Sequence, residues 1–185
     1  MTSWKKLLTG CALAGMIWAA TPALADTLTY TATLTGTGET PPNASTATGM
    51  ATFLLTGNVL EINVTFSGLT GGPAAAAHIH CCAAQGTNAS VWVPFAVFPN
   101  ATSGTYTATV DLSTFAFSGG GTEAALIAGM NNGTAYTNIH NAEFPGGEIR
   151  GQITPTPEPG TLLLLGTGAA GMASLVRRRI YPERP

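Results

Sequence analysis

From Thr27 to Thr35 threonine alternates with Leu28, Tyr30, Ala32 and Leu34, and the same two-residue period returns along the chain. Tyr106, Ala108, Val110 and Leu112 alternate with polar residues, and Leu60, Ile62, Val64 and Phe66 alternate with Glu61, Asn63 and Thr65. Successive side chains of a strand point to opposite faces, so this pattern predicts half-buried antiparallel strands. Met50 to Leu55, Ala75 to His80, Val91 to Phe98, Thr134 to His140 and Glu148 to Thr154 are further strand candidates. Glycine- and proline-rich turn signals separate them, among them Gly71-Gly72-Pro73 and Pro145-Gly146-Gly147. Only Glu123 to Met130 reads as helix, ending at Asn131-Asn132-Gly133. The expected class is all-β: an antiparallel β-sandwich with one short helix.

Both ends of the chain lie outside this pattern. Lys5 and Lys6 precede an apolar run from Leu7 to Ala20, and Ala23-Leu24-Ala25 supplies a small-x-small cleavage site. This predicts a signal peptide over 1–25, cut between Ala25 and Asp26. At the other end, Thr161 to Val176 is apolar and is closed by Arg177, Arg178 and Arg179. As a helix it would reach about 24 Å, short of a ~30 Å bilayer core but workable with help from Pro159-Gly160 and snorkelling arginines. A C-terminal transmembrane helix is therefore expected, with its basic end in the cytoplasm and residues 26–156 on the far side of the membrane.

The segment between the ends limits the chemistry available. It holds seven acids, Asp26, Glu39, Glu61, Asp111, Glu123, Glu143 and Glu148, and one base, Arg150, with no lysine. Phosphate neutralisation needs clustered Lys and Arg, so nucleic acid is not an expected partner. The missing lysine also excludes a P-loop, a Schiff base and a pyridoxal site. No Gly-x-Ser-x-Gly elbow occurs, two aspartates cannot build a calcium loop, and no spacing selects a glycosidase pair among Glu39, Glu123 and Glu143. A non-enzymatic module is expected.

Two resemblances sharpen this reading. Pro157-Glu158-Pro159, the apolar tail and the arginine cluster together resemble the PEP-CTERM sorting signal of exported bacterial proteins. That resemblance implies processing of 157–185 by an exosortase, with the tail in the membrane before cleavage and a cell-surface or extracellular destination. Ala77-His78-Ile79-His80, Tyr136-Thr137-Asn138-Ile139-His140 and Phe144-Pro145-Gly146-Gly147-Glu148-Ile149-Arg150-Gly151-Gln152-Ile153 resemble the CHRD domain. Tyr30-Thr31-Ala32-Thr33-Leu34 with Gly38-Glu39-Thr40-Pro41-Pro42 also fits its first strand and turn. The resemblance covers roughly Leu28 to Ile153 within a 26–156 domain. It implies a sandwich of immunoglobulin or Cu/Zn-superoxide-dismutase character. With the sorting signal, it implies a structural or adhesive role towards an extracellular polysaccharide or matrix.

All three histidines of the chain lie in these segments. His78 and His80 share a strand face, and Cys82 joins it if the strand continues; His140 shares a face with Tyr136 and Asn138. If the two strands are neighbours, His78, His80, His140 and Cys82 converge. Imidazoles with a thiolate suit zinc or copper, and the His-x-His pair resembles one copper-ligand element of Cu/Zn superoxide dismutases. The competing reading is hydrogen bonding across strands or to Glu143 or Glu148. Cys81-Cys82 has three readings: a vicinal disulfide, metal ligation through Cys82, or buried thiols. Glu148 and Arg150, two apart on one strand, are expected to form a structural ion pair.

Overall fold

The computed structural model describes residues 26–157 and 166–172. The alternating segments become strands, because threonine and β-branched or aromatic neighbours suit a pleated surface with one wet face. In chain order they are β1 (Thr27–Thr35), β2 (Thr48–Thr56), β3 (Val59–Ser67), β4 (Ala76–His80), β5 (Val91–Pro94), β6 (Gly104–Asp111), β7 (Tyr136–His140), β8 (Ile149–Gln152) and β9 (Thr154–Pro155). One helix, α1 (Glu123–Asn131), follows β6, and a 3-10 turn spans Gly36–Gly38. Thr122 caps α1, its side chain accepting from the Ala125 N–H.

The strands form one antiparallel sheet in the order β5-β4-β7-β8-β1-β2-β3-β6, and β9 pairs with β1. The two end strands of that path are brought together. The ring of Phe95, just after β5, stacks on Tyr106 of β6 at 5.2 Å, and Phe98 packs on both Phe66 and Tyr106. Leu69 N–H to Thr102 O (2.9 Å) and Ala74 N–H to Ala101 O (2.9 Å) hold the same seam. The sheet thus curls into two facing halves. The expected sandwich is all-β and antiparallel as predicted, but its layers are halves of one continuous ladder.

Between the halves lies a single core. Tyr30, Ala32 and Leu34 of β1, Phe53 of β2, Leu60 and Ile62 of β3, Ile79 of β4, Ile139 of β7 and Ile149 of β8 are all buried in it. Side chains of this size stabilise by roughly 1.5–3 kcal/mol each when fully buried. Leu126 and Met130 of α1 close one end of the core. Leu28, in the same alternating row as Tyr30, is exposed where the row runs off the end of the core.

The expected transmembrane tail falls mostly outside the described residues, as do Ala25, Glu158, Pro159 and Arg177 to Arg179. Residues 166–172 are helical, and no described helix is long and apolar enough to cross a membrane.

Candidate metal centre

On β4, Ala77 and Ile79 point into the core, so His78 and His80 point away from it. On β7, Ile139 is the core residue, and Tyr136, Asn138 and His140 take the other face. The β4–β7 register sets His78 opposite Asn138, His80 opposite Tyr136 and Ala76 opposite His140. Asn138 is in turn opposite Arg150 of β8. A polar row therefore covers the outer surface of this half, yet His80, Asn138 and Arg150 are buried there, at 8%, 2% and 2% exposure. The loops after β1, after β4 and before β8 supply the cover.

The three histidines do converge. A ligand nitrogen from each of His78, His80 and His140 lies within 4.8 Å of the others. Two of the rings are pinned from behind. His80 Nδ1 lies 2.9 Å from the Ala89 carbonyl, and His140 Nδ1 lies 3.0 Å from the Pro145 carbonyl. A carbonyl can only accept, so in the tautomer that satisfies it each Nδ1 carries the proton and each Nε2 offers a lone pair. Both Nε2 atoms face Asn138 Oδ1, at 3.1 Å and 2.9 Å. His78 Nδ1 is buried with no hydrogen-bond partner. Burial lowers the pKa of all three rings, and for His78 the charges of His140 and His80 add to it, bringing the value to about 4. At neutral pH the cluster is therefore three uncharged imidazoles, the form that ligates metals.

A stack of rings fixes the cluster laterally. Tyr136 lies parallel to His80 at 4.6 Å, and the Arg150 guanidinium lies 3.3 Å from the centre of the Tyr136 ring. Arg150 donates to Asn88 Oδ1 and to the Thr87 carbonyl, both at 3.0 Å. Asn88 Nδ2 donates to the Thr40 carbonyl (3.0 Å), and the Ala89 N–H donates to the Tyr136 hydroxyl (3.1 Å). These bonds hold the segment that presents the Ala89 carbonyl to His80.

Beside Asn138 sits Glu39, only 4% exposed, with its Oε1 lacking a hydrogen-bond partner. Burial pushes its carboxyl up to about 7, against the opposing pull of the Arg150 charge, the Asn138 amide and the Thr40 N–H. Glu39 and the Asn138 amide nitrogen meet at Gly147, whose φ is +124° and where a Cβ would collide with both.

Two expectations are corrected. Glu148 and Arg150 do not pair. The chain leaves the ladder at Gly147, so the period-two rule fails at Glu148, which precedes β8. Its carboxylate instead accepts from Ser45 Oγ (2.6 Å), the Thr70 N–H (2.6 Å) and hydroxyl (2.8 Å), and Asn141 Nδ2. Cys82 does not join the histidines. β4 stops at His80, and Cys82 is bonded to Cys81 as a vicinal disulfide. The two sulfurs pack on α1 against Gly129, where a Cβ would strike both. Of the competing reading, the carboxylates Glu143 and Glu148 are not partners of the rings, but the contact across strands is present: His80 of β4 meets Asn138 of β7, and the other partners are two backbone carbonyls.

The family model of the CHRD domain matches residues 30–153. This chain belongs to the CHRD family. The three CHRD segments read from the sequence are β4, β7 and the Phe144–Ile153 stretch, and the fold sets them side by side around the histidines. The PEP-CTERM protein-sorting motif matches residues 155–179. This CHRD protein is accordingly exported across the inner membrane, anchored by its C-terminus before exosortase cleavage, and destined for the surface or beyond. No curated protein and no solved structure matches the chain.

Proposed function

We propose that the exported CHRD domain is a metal-binding module whose site is His78, His80 and His140, with zinc or copper as the ion. The observation that carries this is the convergence of one nitrogen from each of the three rings, with His80 and His140 held from behind by backbone carbonyls at Nδ1 and both Nε2 atoms turned to one point. Metal-ligating histidines are commonly held this way, their second nitrogen donating to a carbonyl or carboxylate. The orphaned His78 Nδ1 supports it too, since a buried nitrogen without a partner is costly unless an ion completes it.

A surface or matrix role describes the setting in which such a module works. The outer face of β1, β2, β3 and β6 favours it: β1 presents Thr27, Thr29, Thr31, Thr33 and Thr35, β6 presents Thr105, Thr107 and Thr109, and Glu61 and Asp111 are the face's charged residues. Such a hydroxyl-rich, weakly charged surface suits neutral polysaccharide.

The test is metal content. The full chain, purified in detergent and offered Zn²⁺ or Cu²⁺, is expected to retain about one ion, and His78→Ala with His140→Ala to retain none. A folded wild-type protein that stays empty would leave the histidines a purely structural role.

A further inference from the structure

We propose that Asn138 Oδ1 is a fourth ligand, so that the site takes a divalent, borderline cation, Zn²⁺, in an N3O set. This rests on the three-histidine reading above and extends it to a residue type not usually sought among metal ligands.

Proton counting makes the argument. Neutral His80 has one N–H for two acceptors, the Ala89 carbonyl and Asn138 Oδ1, and neutral His140 has one for the Pro145 carbonyl and the same Oδ1. Two of these four contacts therefore lack a hydrogen, and where the rings donate to the backbone carbonyls it is Oδ1 that faces two lone pairs, at 3.1 Å and 2.9 Å. In that arrangement three acceptors converge in a buried place and repel one another, and a cation reverses the sign of that interaction.

The spacing agrees. With bonds of ~2.0 Å, the ligands of a tetrahedral zinc ion stand about 3.3 Å apart, close to the observed separations of Oδ1 from both Nε2 atoms. The amide is also held in the required sense. Its nitrogen lies at Gly147 with the Glu39 carboxyl, so the oxygen is the end that faces the imidazoles. Asn138 is 2% exposed and sits opposite His78 in the register, so strand pairing delivers Oδ1 to the same place as the rings. With Cys82 bonded to Cys81, no thiolate is available, and a set of imidazoles with one oxygen suits Zn²⁺ better than Cu(I).

The experiment titrates Zn²⁺, and Co²⁺ as a visible-absorbing substitute, into the full chain and into Asn138→Ala, Asn138→Asp and His140→Ala. Asn138→Ala is expected to bind Zn²⁺ about 10- to 100-fold more weakly, with a changed Co²⁺ d–d spectrum. Asn138→Asp, which keeps the oxygen and adds charge, is expected to restore or tighten binding. If Asn138→Ala binds as well as wild type or better, with an unchanged Co²⁺ spectrum, the residue merely hydrogen-bonds to the empty rings, and the proposal is overturned while the three-histidine site stands. If the wild type itself takes up neither ion, both fall. Far-UV circular dichroism of each variant before titration shows that it has folded, and Asn138→Asp serves as the near-isosteric variant should the alanine form not fold.

Discussion

Arg150 sits over the Tyr136 ring, its guanidinium carbon 3.3 Å from the ring centre, and the parallel His80 ring stacks on the same tyrosine at 4.6 Å. The one cation among the described residues therefore sits one ring away from the histidine cluster, while its N–H groups grip Thr87 and Asn88. The planar fork does both jobs together, which a lysine ammonium cannot do. Arg150→Lys should destabilise the domain by about 2–3 kcal/mol, nearly as much as Arg150→Ala, as read from urea unfolding midpoints. A lysine variant with wild-type stability would show that the charge alone matters.

Glu148 is the acid whose loss should be felt most. Burial works to raise its carboxyl, but hydrogen bonds from Ser45, Thr70 and Gly71 outweigh that and hold it below the usual value. A depressed folded pKa contributes stability above the unfolded value and loses it as pH falls through the folded one. Wild-type stability should thus decline below about pH 4.5, and Glu148→Gln should flatten that decline while costing roughly 2–4 kcal/mol at pH 7. Unfolding at a series of pH values checks both.

Glu39 should act in the opposite sense. Its folded pKa, raised to about 7, favours the protonated acid, so its contribution is present below the unfolded value of 4.5 and is lost as pH rises through 7. Glu39→Gln, which keeps the shape without the charge, should be more stable than wild type at pH 8, by on the order of 3 kcal/mol, and nearly equal to it at pH 4. Equal stability of the two proteins at both pH values would refute the burial of a reluctant charge.

His78 adds an acid-side term of its own. Its pKa, lowered to about 4, means that the fold favours the neutral ring, so stability present above 6.5 is lost as pH falls towards 4. In metal-free protein, His78→Gln should abolish the part of the acid loss lying between those values. NMR titration of the imidazole signals would locate the midpoint directly.

Gly129 offers a test of packing rather than charge. On α1 its missing side chain makes room for both sulfurs of Cys81 and Cys82, the second of them 2.7 Å from where a Cβ would stand. Alanine, ordinarily the better helix former by nearly 1 kcal/mol, should here destabilise by about 2 kcal/mol or more. Thermal unfolding of Gly129→Ala reads the sign.

Strand positions were legible because alternation is a local rule, and β1, β3 and β6 obey it over almost their whole length. The meeting of His78, His80 and His140 was legible as a condition: it needed β4 beside β7, which no local pattern states. Glu148 as a partner of Arg150 and Cys82 as a metal ligand fail for one reason. Each stands a step or two beyond a strand end, at Gly147 and after His80, where the two-residue period no longer governs direction. Asn138 stood in the expected row with His140 but carried no signal of its own, and Glu39 reaches it from a turn 99 residues away in sequence. The Ala89 and Pro145 carbonyls, which hold two of the rings from behind, are main-chain atoms that no residue type announces.

The pairing of β9 with β1 places Tyr30 beside Pro155 and joins Thr156 N–H to Thr29 O, so the chain enters and leaves the domain at one end of the sheet. Arg150, opposite Thr35, lies six residues back along the strand path, about 20 Å away at ~3.3 Å per residue, and the histidines lie around it. The tail by which the chain is anchored before cleavage therefore departs from the end of the sheet opposite the one that carries the imidazoles.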